Sequence, residues 1–395
     1  MAFDFFKRRS GEANTAETKA SATGPVIAYH GAGRVAWSAR DTVSLTRSGF
    51  AGNPVGFRAV KLIAEAAAAV PLVLQNSEQR FETHTFLQLL AAPNAAQGRV
   101  EFFEALFGQL LLSGDTYLEA VASETDAPFE LHVLRSDRMK VVPGADGWPI
   151  AYEYAVGTRK HRFDLSRDVA PICHIKSFHP QDDHYGLSPM QAAATALDVH
   201  NSASRWSKAL LDNAARPSGA IVVKGTDGSG TLGEEQFRRL QDEMEAYHQG
   251  AKNAGRPMLL EGGLDWKPMG FSPSDMEFQK TKESAAREIA IAFGVPPMLL
   301  GIPGDATYAN YQEANRAFYR QVVVPLAGKV AGKIGDWLAG YTGEVLDLKP
   351  DLDQVAALAS ERDAQWSRVA GADFLSVEEK RALLGLPPLS VEADG

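Results

Sequence analysis

The chain has 395 residues, 40 Lys plus Arg against 49 Asp plus Glu, and a formal charge of −9. That balance argues against a protein that works by gripping phosphates over its whole surface, and the length points to two or more packing units. A single cysteine, Cys173, excludes an intrachain disulfide and a cysteine-based zinc site.

Residues 10–24 are Ser, Gly, Ala, Thr and Glu with almost nothing to bury. Together with the preceding residues they read as a flexible N-terminal arm, 1–25. Lys7, Arg8 and Arg9 have no apolar segment behind them, so the arm is not read as a secretory signal. No stretch reaches the roughly 18 apolar residues of a spanning helix; Ala66 to Leu74 comes nearest and is broken by Pro71. The expectation is a soluble protein assembled in the cytosol.

From Asn53 to Val70 the period is helical, with Val60, Ile63, Ala64 and Ala67 on one face. Pro71 stops that helix, and Leu72–Leu74 reads as a strand. A short helix from His84 to Leu90 ends at Ala92-Pro93-Asn94, and a longer one from Val100 to Leu112 breaks at Gly114-Asp115. Thr116 to Val121 alternates like a strand, and 131–176 continues as short β segments. The fold class of this first block is α+β.

Ser188-Pro189 with Gln191 reads as an N-cap, a first-turn proline and a capping-box partner for a helix running to about Asn213. Its apolar stripe is interrupted by His200, Asn201 and Ser204. Such a helix often packs against neighbours of its own kind. A small α/β insert follows: a strand at Ala220–Val223, a glycine-rich loop at Gly225–Gly233, a charged helix capped by Thr231 with Glu234, and a strand at Pro257–Leu260. Ser274 with Glu277 caps a second long helix that ends at Gly294, so two long helices bracket the insert. After Gly301-Ile302-Pro303-Gly304-Asp305, Asn310 and Glu313 can cap a third long helix to about Leu338, kinked at Pro325. An interior proline costs ~3 kcal/mol unless its neighbours compensate. A charged helix around Leu352–Val369 and a Ser376–Glu379 capped helix ending at Gly385 close the chain.

The densest polar cluster is His174, His179, Asp182, Asp183 and His184, with His161 near in sequence. These residue types suit zinc or a hard cation, but their spacings match no ligand motif, and a solvated loop is the plainer reading. Gly186-Leu187-Ser188-Pro189-Met190 lacks the closing glycine of a nucleophile elbow, so Ser188 is read as a cap. The loop 225–233 lacks the Gly-Lys-Ser/Thr ending of a phosphate loop and precedes Glu234 and Glu235, which repel phosphate. Cys173, in an apolar run, reads as a buried inert thiol. Glu277, Lys280, Lys282 and Glu283 read as solvated charges or an assembly face.

The order of these pieces resembles the HK97-type portal proteins of tailed bacteriophages. The resemblance is carried by HTFLQLLAAPN (84–94), the helix and GDTY ending of 102–117, ICHIKSFHPQDDHYGLSP (172–189), the segment 253–262 and REIAIAFGVPPMLLG (287–301). Tyr308-Ala309-Asn310-Tyr311-Gln312-Glu313 and Pro325 continue it, over about 53–338, and it recurs at 372–388. The compact length and short C-terminal part resemble the portal of a gene transfer agent or a domesticated prophage. The resemblance implies a ring-forming subunit with wing, stem, clip and small crown around a central channel, with no cofactor, metal or catalysis. It maps 26–187 and 308–345 to the wing, 188–213 and 274–297 to the stem, 214–273 to the clip, 298–307 to a tunnel loop and 346–395 to the crown.

It further implies that Ile302, Pro303, Gly304, Asp305, Ala306 and Thr307 line the channel as that loop, that Arg205, Lys208, Lys280, Lys282, Glu283 and Arg287 belong to the stem, and that Gln236, Arg238, Arg239 and Asp242 form the docking end of the clip. The implied partners are further copies in a ring, usually a dodecamer, the major capsid protein, a head–tail adaptor, transiently the terminase large subunit, and double-stranded DNA passing without regard to sequence. The particle would be assembled in the bacterial cytoplasm, and an acidic lumen would spare sliding DNA the drag of fixed cations. Two other readings stand beside this one: a metal-dependent hydrolase using His174 to His184, and another head–tail connector component. An ATP-driven motor is disfavoured because no Walker A sequence is present.

Overall fold

The computed structural model describes residues 39–121, 128–166, 169–212, 219–223, 234–235, 238–239, 264–268, 273–304 and 307–388, with the backbone alone for 209–212, 219–223, 264–268 and 273–277. The N-terminal arm, the loop 225–233, the Thr231 cap, the strand expected at 257–260, Gln236, Asp242, Asp305, Ala306 and the end of the crown lie outside these residues.

Asn53 starts the first long helix, Pro54–Ala69: its side-chain oxygen accepts from the Val55 and Gly56 amides, and Pro54 follows at the first turn, where no donor is needed. The face read from the sequence is the buried one: Val60, Ile63, Ala64 and Ala67 are at most 3% exposed. It packs on the helix Arg99–Ser113, whose Phe102, Phe103, Leu106, Phe107 and Leu110 fill the same core. That core takes in Met190 of the turn Pro189–Ala192, Ala194 and Leu197 of the helix Ala194–Asp212, Ile289 of Pro273–Ala292 with Phe293 just beyond it, and Val330, Ile334 and Leu338 of Val324–Thr342. The expected separate packing units give way to one: residues 37–395 hold together as a single unit. The reason is that the long helices end inside the core formed by the first block, so their bases and that block cannot be buried independently.

The β structure forms small antiparallel sheets at the margin of this helical core. Asp115–Val121 lies between Glu130–Leu134 and Ile172–Lys176. Met139–Pro143, Pro149–Val156 and Arg159–Asp164 form a meander. Leu72–Gln75 pairs with both Arg80–Phe81 and Asp347–Pro350. The segment after residue 346 therefore begins as a strand in a sheet with the first block. The last helix, Val377–Leu384, has both halves of the Ser376–Glu379 capping box, as its sequence implies.

Two glycines fix where the first block meets the long helices. Gly114 ends the helix Arg99–Ser113 at φ 84°, the left-handed region. A Cβ there would sit 2.3 Å from the Gly186 carbonyl oxygen, and one on Gly186 would sit 2.0 Å from the Gly114 carbonyl oxygen. The two backbones touch with no room for side chains. We expect Gly114→Ala, through φ strain plus this contact, to lower the unfolding free energy by about 2–4 kcal/mol. Chemical denaturation of the isolated subunit reads the change, and an unaltered midpoint would contradict the close approach.

Candidate functional site

The most distinctive assembly is the pair of long helices. Ser188 caps the first, its hydroxyl accepting from the Gln191 amide; the turn Pro189–Ala192 then passes through Ala193 into Ala194–Asp212. The second, Pro273–Ala292, packs along it. Ala285, Ala286, Ile289 and Ala290 are buried, and their small side chains let the helix seat closely at its base. Farther out, Trp206 stacks on Phe278, ring centroids 4.2 Å apart.

The polar residues that interrupt the stripe do not await a neighbouring subunit. Asn53 Nδ2 donates to His200 Nδ1 (3.0 Å) and to Asn201 Oδ1 (2.9 Å), and Asn201 Nδ2 donates to the Ser48 carbonyl (2.8 Å). Asn53 is 1% exposed and His200 4%. The amide that caps one helix thus ties the base of another, and burial together with the Lys282 cation lowers the His200 pKa, so the ring stays neutral and accepts. Sequence spacing marked His200 and Asn201 as unusual, but their partner lies 147 and 148 residues away.

Of the charges placed on these helices, Lys280, Glu283 and Arg287 are exposed and Lys282 is half-buried, facing His200. Glu283 accepts from Gln279, and Arg205 donates to the Ser202 hydroxyl. Arg287 turns instead to the Pro303 carbonyl. Beyond the pair, the insert contains an antiparallel strand pair of Gly219–Val223 with Leu264–Pro268; the second strand was not read from the sequence. Arg238 and Arg239, both exposed, pair with Glu234 and Glu235 one turn earlier.

The loop at the base of the pair is shorter than its sequence suggests. Pro297–Leu300 is a tight 3₁₀ turn, Gly301 follows at φ 73°, and the Ile302 amide bonds back to the Pro297 carbonyl. Ile302 is 9% exposed and packs on Ala286 and Ala290, so it anchors the loop rather than projecting from it. Thr307 is also committed: its hydroxyl, not the Asn310 side chain, caps the third helix by accepting from the Asn310 amide. That helix runs Tyr308–Phe318, widens into a π-turn at Tyr319–Val323 and continues as Val324–Thr342. The wider turn falls just before Pro325, where the proline removes a donor and crowds the preceding turn. Pro303 and Gly304 are exposed.

The histidine cluster disperses. His174 is half-buried, its Nε2 2.8 Å from Asp115 Oδ1, its Nδ1 3.3 Å from the Tyr152 hydroxyl and its ring stacked on Tyr117. Asp115 also accepts from the Gly186 amide. His179 accepts from the Gln181 amide, and Asp182 caps a turn at His184 and Tyr185. Among the described residues no three His, Cys, Asp or Glu side chains converge on a metal position. Burial pushes the Cys173 thiol up to about 12, so it stays protonated and unreactive.

With this geometry in hand, comparison with known proteins is decisive. The family described as phage portal protein matches residues 54–385. A chain from the neck of a native gene transfer agent particle, computed with C12 symmetry, is 71% identical, covering 91% of this chain and 97% of that one, with a TM-score of 0.74. An uncharacterised protein of Rickettsia bellii is 40% identical over 85% of this chain and 87% of its own length. The portal protein of Enterobacteria phage HK97 is 24% identical over 84% and 78% respectively. The chain belongs to the phage portal protein family, a structural family whose members act at the capsid vertex.

The His200 node makes stability depend on pH. Its pKa is lowered on folding, so its contribution is present above the ordinary imidazole value, about 6.5, and is lost as pH falls below it. Between about pH 6.5 and 5 the unfolding free energy of the native chain should fall more steeply than that of His200→Asn, by at most about 1.4 kcal/mol per pH unit. Parallel curves for the two proteins would show that His200 is not held neutral.

Proposed function

We propose that this chain is the portal of a gene transfer agent-type particle: a subunit of a twelve-membered ring through which double-stranded DNA is packaged and released. The observation that carries the reading is the 71% identity, over 91% of the chain, to a subunit in the C12-symmetric neck of such a particle. A closed ring needs head-to-tail contacts whose rotation closes.

In this reading the paired helices 188–213 and 274–297 are the stem, the insert 214–273 is the clip, 26–187 and 308–345 form the wing, and 346–395 is the crown. The reading takes Gly304 to Ala306 as the tip of the tunnel loop that faces the DNA, since Ile302 and Thr307 are held by their own contacts. The clip, with Gln236, Arg238, Arg239 and Asp242, is where the adaptor and, earlier, the terminase large subunit dock; the wing meets the major capsid protein. The mixed signs of Lys280, Glu283, Arg287 and Glu288, all exposed on the second stem helix, support a channel that does not grip phosphate. The ring is a conduit with no catalytic step of its own.

Light scattering and negative-stain images of the purified protein should show closed rings; a stable monomer at high concentration would oppose the assignment. The same rings should bind duplex DNA no better than about 10⁻⁶ M at physiological salt, with a shallow salt slope, by fluorescence anisotropy. Tight, steeply salt-dependent binding would refute a passive channel. Deleting residues 304–306 should leave rings intact and reduce DNA-filled particles, and normal particle titres would sink the tunnel-loop assignment.

A further inference from the structure

Of the described charges on the helix Pro273–Ala292, Lys280, Glu283, Arg287 and Glu288 are exposed, and Arg287 among them bonds to the main chain of the next segment. The Arg287 guanidinium donates to the main-chain carbonyl of Pro303, 16 residues on. Gly304 lies against the same group: a Cβ built there would be 3.5 Å from Arg287 Nη2 and 3.9 Å from Nη1. Among the described residues Arg287 forms no ion pair, although Glu283 is one turn before it and Glu288 is next in sequence. Its hydrogen bonding is directed at the turn.

The turn is fastened to the same helix a second time. Ile302 packs on Ala286 and Ala290, the neighbours of Arg287 on either side along the helix. Internally the turn is closed by hydrogen bonds from Val295 to Ala290, Leu299 to Pro296, Gly301 to Met298 and Ile302 to Pro297. Pro303 has no amide hydrogen with which to continue this bonding, and among the described residues the donor that reaches its carbonyl is Arg287. Apolar packing therefore holds the turn as far as Ile302, and Arg287 extends that hold to the point where the loop leaves the helix.

We infer that Arg287 is a positioning residue: it fixes the Pro303–Gly304 end of the turn to the second long helix, so that a displacement of that helix is delivered to the loop. A charge-assisted bond to one carbonyl suits this role, because it sets direction and distance and can still be broken and remade. The inference rests on the reading of that loop as the part of the portal nearest the DNA, and its test separates the two.

Assembled rings of the native protein, Arg287→Ala and Arg287→Lys would be compared by hydrogen exchange and by the DNA content of particles built with each. The alanine variant should speed exchange in the peptide spanning 298–307 by about tenfold, leaving the helix Pro54–Ala69 unchanged, and the lysine variant, which keeps one donor, should fall between. DNA content should follow the same order. Unchanged exchange in Arg287→Ala overturns the positioning role, and so does loss of rings, which would place Arg287 at a subunit contact. Faster exchange with undiminished DNA content supports the positioning role and overturns the tunnel-loop reading instead.

Discussion

The structure depends on one constraint: the two long helices must end inside the hydrophobic core that the first block builds. Ala285, Ala286 and Ala290 keep the second helix narrow where it enters, while Met190, Ala194 and Leu197 seat the first. At that entry the backbone and side chains carry polar groups that water cannot reach. The Asn53 amide meets this need with bonds to His200 and Asn201 while its oxygen caps its own helix. A buried network of this kind stabilises only when every member is satisfied, and then it holds one arrangement in preference to others.

From this fixed base the rest follows. The helices leave the core packed along one another, and in chain order the antiparallel strands Gly219–Val223 and Leu264–Pro268 fall between them. At the near end the chain must turn from the second helix into the third within a few residues. It does so through Gly294 and Gly301, both at positive φ, and a 3₁₀ turn that packs back on the helix it has just left. The third helix then crosses the same core, its π-turn absorbing the proline.

In the proposed reading as a DNA conduit, weak binding of DNA is expected. The chain carries nine more carboxylates than cationic side chains, 49 against 40, and the cations of the second long helix are offset by Glu283 and Glu288 on the same exposed face. Each added phosphate contact raises sequence-independent affinity and its salt dependence, so a conduit works best without a continuous cationic stripe. Histidines and acids that look like a metal set in sequence serve architecture here: Asp115 with His174 and the Gly186 amide joins the strand after Gly114 to the segment that leads into the helix Ala194–Asp212.

The sequence by itself determined the helices and their buried faces, because apolar periodicity and capping side chains are local: Ser188 and Ser376 cap where their spacing says, whereas the caps at Asn53 and His84 were not read from it and Thr307 caps where Asn310 was expected. It also determined the bracketed insert, which is a matter of element order, and through the portal resemblance the family. Tertiary structure alone decided what His200 and Asn201 bind, that Ile302 is an anchor rather than a loop tip, that Arg287 faces Pro303, and that Gly114 and Gly186 touch. The contacts of His200, Asn201, Gly114 and Gly186 join residues far apart in the chain, and period, cap and composition carry no information about which distant group a residue will meet.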